Sequence, residues 1–291
     1  MARILITGTN SFIGTNFRKF SKNPDQEEVS LRDNLPESLD FEGFDTILHL
    51  AAIVHQSHKT ETAEYFRVNR DLTIRLAEQA KQSGVKQFIF LSTVKVYGKW
   101  VKGTPSWNEG SPCFPDDPYG ESKYEAELAL QLMGTTEFIV SIIRTPIVYG
   151  PGVGANILKL VRLIESVPIL PFRDVKNNRH YTYVENLVGF IDRIIELKPS
   201  GVFVAMDNQA LSTSKLVDLI SGFLKRRVFL FRLPEFVISA GVKLFPGIFD
   251  RLYNSFFLDN THTREILLYD PLFSIEDGLK MTISGYLLEK K

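Results

Sequence analysis

Ile4-Leu5-Ile6-Thr7-Gly8-Thr9-Asn10-Ser11-Phe12-Ile13-Gly14 joins a short apolar run to the start of an amphipathic segment. Arg3 to Thr7 has the composition of a buried strand. From Phe12 to Phe20 the residues Phe12, Ile13, Phe17 and Phe20 share one face of a helix. Gly8 allows a tight turn and a close approach of the backbone to a pyrophosphate. The helix N-terminus behind it presents free N–H groups to negative charge. Ser11 stands at the middle position of the usual three-glycine fingerprint. Gly8, Ser11, Phe12, Ile13 and Gly14 are therefore candidate dinucleotide ligands. A bare structural turn is the alternative; its place after the first strand of a β-α alternation favours the dinucleotide.

The alternation runs on from there. Val29-Ser30-Leu31 is a weak second strand, and Thr46 to Ala52 is a strong one, apolar at nearly every position. Asn69 to Ser83 is expected as a helix, Gln87 to Ser92 as a buried strand, Tyr119 to Met133 as a helix and Phe138 to Arg144 as a strand. Further helices are expected within 156–166 and 182–197, and a last sheet strand at Val202 to Ala205. This is an α/β fold, a Rossmann-type doubly wound parallel sheet with a smaller C-terminal lobe. Residues 1–146 with 180–207 are expected to form the dinucleotide-binding domain. Residues 147–179 with 208–291 are expected to form the substrate lobe. Asp25 to Asp45 is short for two strands and two connections, so one strand of the cofactor half is missing or reduced. Phe236 to Phe249 carries eight large apolar residues and reads as a core or lobe-packing helix broken at Pro246-Gly247. Its alternative is a surface for a protein or a membrane face.

Composition narrows the function. Of 291 residues, 34 are Lys or Arg and 34 are Asp or Glu, so the formal net charge is zero. That argues against nucleic acid held by a broad basic surface. The 44% hydrophobic content excludes intrinsic disorder as the main state. Cys113 is the only cysteine, which excludes a disulfide framework and any multi-cysteine metal site. No apolar run reaches the roughly eighteen residues of a spanning helix. With no transmembrane segment and no signal peptide in evidence, the cytoplasm is the expected compartment. No metal is expected: His55 and His58 lack a third ligand at sensible spacing.

Tyr119 and Lys123 are four residues apart and share a helix face. A neighbouring ammonium favours phenolate, so Lys123 is expected to lower the Tyr119 pKa and suit it to proton transfer. Thr93 follows the buried strand at 87–92, at the strand end where open α/β sheets place their chemistry. Near the second strand Asp33 would favour NAD, whereas Arg32 would pair with the 2′-phosphate of NADP.

Together these segments resemble the extended short-chain dehydrogenases/reductases, the NAD(P)-dependent sugar-nucleotide epimerase/dehydratase group. Thr7-Gly8 to Gly14 resembles that family's cofactor turn, and His49-Leu50-Ala51-Ala52 its adenosine-side strand. Asn69 matches an asparagine in the long helix behind the active site. Leu91 to Gly98 resembles the segment with the catalytic hydroxyl, here Thr93, and Tyr119 with Lys123 matches the catalytic pair. Arg144 to Gly152 resembles the strand and loop leading to the substrate lobe, and Asn178 to Val184 the segment whose arginine meets the nucleotide diphosphate.

The resemblance implies Thr93, Tyr119 and Lys123 as catalytic. It puts Leu50, Ala51, Ala52, Asn69 and Pro146 beside NAD or NADP, and Arg179 on the substrate diphosphate, with Arg251 a second candidate. Lys95 is open between substrate, cofactor phosphate and solvent. The 4,6-dehydratases are expected to carry an Asp-Glu pair after the threonine; Val94-Lys95 stands there instead. The chain most resembles the bacterial polysaccharide-pathway 4-epimerases and 4-ketoreductases of the group, and the first expectation that this resemblance implies is reduction of a 4-keto-6-deoxy sugar nucleotide. The alternatives are an NAD-dependent UDP-sugar 4-epimerase and a cofactor-binding regulator without turnover. A homodimer through the helices at 69–80 and 119–133 is also expected from the resemblance.

Overall fold

A computed structural model describes residues 2–54, 60–99 and 106–290; His55 and His58 lie outside these. The first part of the chain contains β1 (Ile4–Thr7), α1 (Phe12–Phe20), β2 (Gln26–Val29), β3 (Thr46–His49), α2 (Thr62–Tyr65), α3 (Leu72–Gln82), β4 (Gln87–Thr93), α4 (Pro118–Met133) and β5 (Ile139–Thr145). Then follow β6 (Ile147–Tyr149), α5 (Ala155–Ser166), β7 (Ile169–Leu170), β8 (Tyr181–Tyr183), α6 (Val184–Leu197) and β9 (Gly201–Val204). The chain ends with α7 (Thr213–Phe223), β10 (Phe229–Leu230), α8 (Glu235–Leu244), α9 (Pro246–Tyr253), α10 (Thr261–Leu267) and α11 (Ile275–Glu289).

Six parallel strands form the main sheet in the order β2-β1-β3-β4-β5-β9. The order reverses between β1 and β3, so the crevice outside their carboxyl ends is the natural ligand site. The strands β1, β3, β4 and β5 are buried on both faces and their side chains alternate between two cores. Ile4, Ile6 and Leu48 meet Phe17 of α1 and Ile191 of α6 on one side. Leu5, Ile47, Phe88 and Phe90 meet Leu76 and Ala80 of α3 and Leu130 of α4 on the other. A third core packs α5, α7 and α11 around Tyr149, Tyr181 and Tyr183. The small pairs β6-β8 and β7-β10 border it.

Three elements differ from the sequence expectation. The second strand is Gln26–Val29, not Val29 to Leu31. It is an edge strand that pairs only with β1, so it needs main-chain partners rather than an apolar pattern. Its Glu27 and Glu28 blunt the free edge. The helix behind the cleft begins at Thr62, and Phe66–Asp71 is a π turn between α2 and α3. Finally, the 236–249 stretch breaks at Pro246 into α8 and α9 as expected, but it carries an exposed apolar face, the surface alternative, rather than lying wholly in the core. Phe236, Leu244, Phe245 and Ile248 are all exposed, because the inner face of the pair is already filled by Phe249 against Gly241.

Under the carboxyl ends of β4 and β5 lies a buried ion pair. Arg144 Nη2 of β5 donates to Glu127 Oε2 of α4 at 2.6 Å, and Arg144 Nε donates to Oε2 at 3.1 Å. The Ser92 hydroxyl of β4 donates to the same carboxylate. The Arg144 guanidinium lies 4.8 Å from the Tyr97 ring centroid. Replacing one member leaves a buried charge without its partner, which costs roughly 3–5 kcal/mol. Glu127→Ala is therefore expected to lose stability on that order in urea unfolding. Glu127→Ala combined with Arg144→Met is expected to recover part of it.

Candidate active site

The turn after β1 is built for close approach. Gly8 has φ +97°, and a Cβ there would fall 2.9 Å from the Ala51 nitrogen and 3.0 Å from the Leu50 carbonyl carbon. Asn10 takes a left-handed conformation at φ 58°, which turns the chain into α1. Ser11 has φ −69°, so this position does not need glycine. Its Oγ accepts from the Gly14 N–H at 3.1 Å and caps the helix. Phe12 and Ile13 are the first two residues of α1, whose N–H groups have no partner within the helix. This cradle suits a dinucleotide diphosphate. Gly8→Ala is expected to weaken retention of NAD(H), read by cofactor content after gel filtration. It is also expected to destabilise the fold by about 1–3 kcal/mol through strain and contact with Ala51.

Behind the turn a hydrogen-bonded chain crosses from β1 to the π turn. The Ala51 N–H donates to Thr7 Oγ1 at 3.4 Å. His49 lies 2.6 Å from Thr7 Oγ1 through Nδ1 and 2.8 Å from Thr73 Oγ1 through Nε2. Thr73 donates its proton to the Asn69 carbonyl. It therefore accepts from His49 Nε2–H, and Nδ1 accepts from the Thr7 hydroxyl. Burial, helped by the Lys123 charge, lowers the His49 pKa to about 3. The ring is neutral and structural. Asn69 is fully buried. Its Oδ1 accepts from the Ile53 N–H at 2.9 Å, and its Nδ2 donates to the Ile53 carbonyl at 3.0 Å and to Ser122 Oγ at 3.2 Å. Asn69 thus ties the loop after β3 to α4.

Thr93 and Tyr119 meet where β4 ends beside α4, and Lys123 follows Tyr119 one turn along that helix. Asp117 caps α4, accepting from the Gly120 N–H at 2.7 Å. Gly120 lets the first turn sit against the 94–97 turn; a Cβ there would lie 2.9 Å from the Lys95 carbonyl oxygen. Tyr119 is pushed up to about 12 by burial, with a hydrogen bond to Thr93 pulling the other way. This reverses the expectation that Lys123 lowers it. The Lys123 ammonium instead donates to the Leu91 carbonyl at 2.9 Å and lies 4.3 Å from the Phe90 ring centroid. Burial lowers Lys123 itself to about 7, against the opposing pull of Glu127 one turn away. The Lys95 amine pairs with Asp117 and lies 5.8 Å from the Tyr119 ring centroid.

The remaining candidates are more scattered. Arg32 and Asp33 are exposed in the turn after β2, and Asp33 Oδ2 accepts from the Ser30 hydroxyl at 2.9 Å. Pro146 lies between β5 and β6. Arg179 Nη1 donates to the Asp250 carbonyl at 3.1 Å and the Asn254 carbonyl at 3.0 Å, at the end of α9. Burial lowers its pKa, and the Arg251 charge adds to that. Two guanidinium groups therefore share one neighbourhood.

Residues 4–205 match the NAD dependent epimerase/dehydratase family. The chain belongs to that family. It is 34% identical to the UDP-glucose 4-epimerase of Vibrio cholerae, over 98% of this chain and 95% of that protein. It is 28% identical to the N-acetyl-alpha-D-glucosaminyl-diphospho-ditrans,octacis-undecaprenol 4-epimerase of Escherichia coli O157:H7, over 79% of this chain and 75% of that protein. The structure of UDP-glucuronic acid 4-epimerase from Bacillus cereus in complex with NAD shares the fold, with a TM-score of 0.78, 20% identity and 99% coverage of each chain. As a family member the protein is an NAD(P)-dependent enzyme.

Several residues that organise this site escaped the sequence reading: Asp117, Glu127, Ser92 and the threonines on either side of His49. Two signals pointed to them. Glu127 is one turn beyond Lys123, and Arg144 is a lone charge in an apolar strand. The buried lysine has a measurable consequence. The unfolded chain keeps the Lys123 proton up to about 10.5, whereas the folded chain releases it near 7. Unfolding in that window takes up a proton, so rising pH stabilises the fold. The melting temperature is expected to gain a Lys123-dependent increment between pH 7 and 10.5. Lys123→Met should remove that increment in parallel melts across the range.

Proposed function

We propose that the protein is an NAD-dependent 4-epimerase of UDP-linked sugars. The observation that carries this is the 34% identity to a UDP-glucose 4-epimerase along nearly the whole of both chains. It favours epimerisation over the reduction of a 4-keto sugar that the sequence first suggested. The contact of Thr93 with Tyr119, beside Lys123, supports proton transfer at a sugar hydroxyl. Val94-Lys95 after Thr93 supplies no Asp-Glu pair for water loss.

NAD, when bound, supplies hydride removal and return at C4. Gly8, Phe12 and Ile13 hold its diphosphate, and Asn69 fixes the 51–53 loop that borders it. Arg32 and Asp33 are the residues to choose between NAD and NADP. Tyr119 Oη takes the proton of the 4-hydroxyl and later returns it, and Thr93 hydrogen-bonds at the same place. A neutral Tyr119 is the form that gives a proton. For it to accept one its pKa must fall, and the Thr93 hydrogen bond pulls it in that direction. Lys95, paired with Asp117, lies 5.8 Å from the Tyr119 ring centroid. Arg179 and Arg251 bracket the substrate diphosphate. Leu128 and Leu132, one turn apart and exposed on α4, are the residues a homodimer would cover.

The test is product identification by NMR with UDP-glucose, UDP-galactose and their N-acetyl and uronic acid counterparts, without added cofactor. Interconversion at C4, with NAD released on denaturation, is the expected result. Stoichiometric NADPH oxidation on a 4-keto sugar nucleotide would establish the reductase instead. Tyr119→Phe is expected to lower kcat by about 10²–10⁴-fold while leaving NAD content unchanged.

A further inference from the structure

The α8-α9 pair presents an apolar crest that the fold does not use. Phe236, Leu244, Phe245 and Ile248 are each 59–75% exposed. Phe236, Ala240 and Leu244 follow at four-residue spacing, so they form a stripe along α8. The opposite face of the pair is packed. A Cβ on Gly241 would lie 2.3 Å from the Phe249 ring, so the two helices touch there. Phe249 stacks on Tyr253 at 5.5 Å between centroids, and Tyr253 meets Phe172 at 6.0 Å. The Tyr253 hydroxyl donates to the Pro171 carbonyl at 2.8 Å. The hairpin is thus anchored from within, and its outer residues are free to meet something else.

Charge around the crest is strongly one-sided. Residues 225–251 contain six basic residues, Lys225, Arg226, Arg227, Arg232, Lys243 and Arg251, against the two acids Glu235 and Asp250. The chain as a whole is neutral, so this excess is local. Among the described residues, Lys225, Arg227, Arg232 and Lys243 take part in no ion pair. A contiguous exposed apolar patch marks an interaction site. Bulky apolar side chains bordered by Lys and Arg fit the boundary of an anionic bilayer, with the rings among the acyl chains and the cations at the headgroups. No helix among the described residues is long and apolar enough to cross a membrane, so the contact is with one leaflet.

We propose that the α8-α9 hairpin, with the basic segment leading into it, docks the protein reversibly on the surface of an anionic phospholipid bilayer. This inference is independent of the reaction catalysed. A single small apolar crest gives weak binding, and the basic residues add about 1 kcal/mol each near the surface, roughly fivefold apiece.

The test is flotation of the full chain with vesicles of phosphatidylcholine alone and with about 30% phosphatidylglycerol added. Binding to the anionic vesicles is expected, with little binding to the neutral ones and a steep loss at about 0.5 M salt. The combined variant Phe236→Ser, Leu244→Ser, Phe245→Ser, Ile248→Ser is expected to lose at least about tenfold in partitioning. The charge variant Arg227→Glu with Arg232→Glu lies outside every core cluster. It is expected to lose a similar factor while keeping its melting temperature and its turnover of soluble substrate. Absence of binding to anionic vesicles overturns the proposal, as does equal binding by wild type and both variants. Sedimentation supplies a further arm. A wild-type dimer that the serine variant converts to monomer would assign the crest to a second copy of this chain, and the proposal would fall.

Discussion

The buried contact between Arg144 and Glu127 sets the position of nearly everything chemical in this molecule. Tyr119 and Lys123 ride on α4, and Glu127 fastens that helix to the sheet through an ion pair. One end of the clamp is in β5, and Ser92 brings in β4, the strand that ends at Thr93. On its other side Arg144 covers the Tyr97 ring, which stacks on Trp107 at 5.6 Å. The Trp107 backbone N–H in turn donates to the Phe257 carbonyl at 2.9 Å. Rotational placement of a phenol and an ammonium over a strand end is thereby joined to the segment at 256–259. A buried ion pair is a poor source of net stability, because desolvation offsets much of the attraction. Its value here is direction: bidentate geometry allows α4 few positions on the sheet.

A second, uncharged network does the same for the cofactor side. Thr7, His49, Thr73 and Asn69 run under the glycine turn and bind the ends of β1 and β3 to the helix behind them. The histidine acts as a two-ended hydrogen-bond spacer, and stacking on Phe90 at 5.8 Å keeps it dry. The two networks meet in α4, where Asn69 reaches Ser122, the neighbour of Lys123. Lys123 therefore lies between a neutral histidine and a fully paired glutamate, with a backbone carbonyl as its hydrogen-bond acceptor. Burial at this point, against the pull of Glu127, is why its charge is so readily given up.

Elements built from apolar periodicity were plain in the sequence. The strands at 4–7, 46–49, 87–93 and 139–145 stand within a few residues of expectation because each is buried on both faces. The edge strand was displaced because Gln26-Glu27-Glu28 has no apolar signature. The break at Pro246-Gly247 was legible in the sequence, but the choice between core and surface for 236–249 was not, because hydrophobicity alone does not say which side of a helix is already occupied. At the site, residue types, spacing and the resemblance pointed to Thr93, Tyr119 and Lys123, and the structure puts Thr93 against Tyr119. Where the ammonium points was not legible, since Leu91 competes for it through a carbonyl that every residue carries. Charge networks joining residues 92, 127 and 144 depend on sheet register, which local pattern does not contain.

The π turn at Phe66–Asp71 holds one residue more than an α-helix would use there. That surplus residue shifts the phase between α2 and α3 by about 100°. It lets Asn69 face the 51–53 loop while Leu76 and Ala80 still face the sheet. Length is consequently constrained at this point more tightly than residue identity. Among descendants of this sequence, loss of a single codon within 66–71 would regularise the helix, rotate one half against the other and separate clasp from core. Substitutions on the outer face of the same helix would leave that phase untouched.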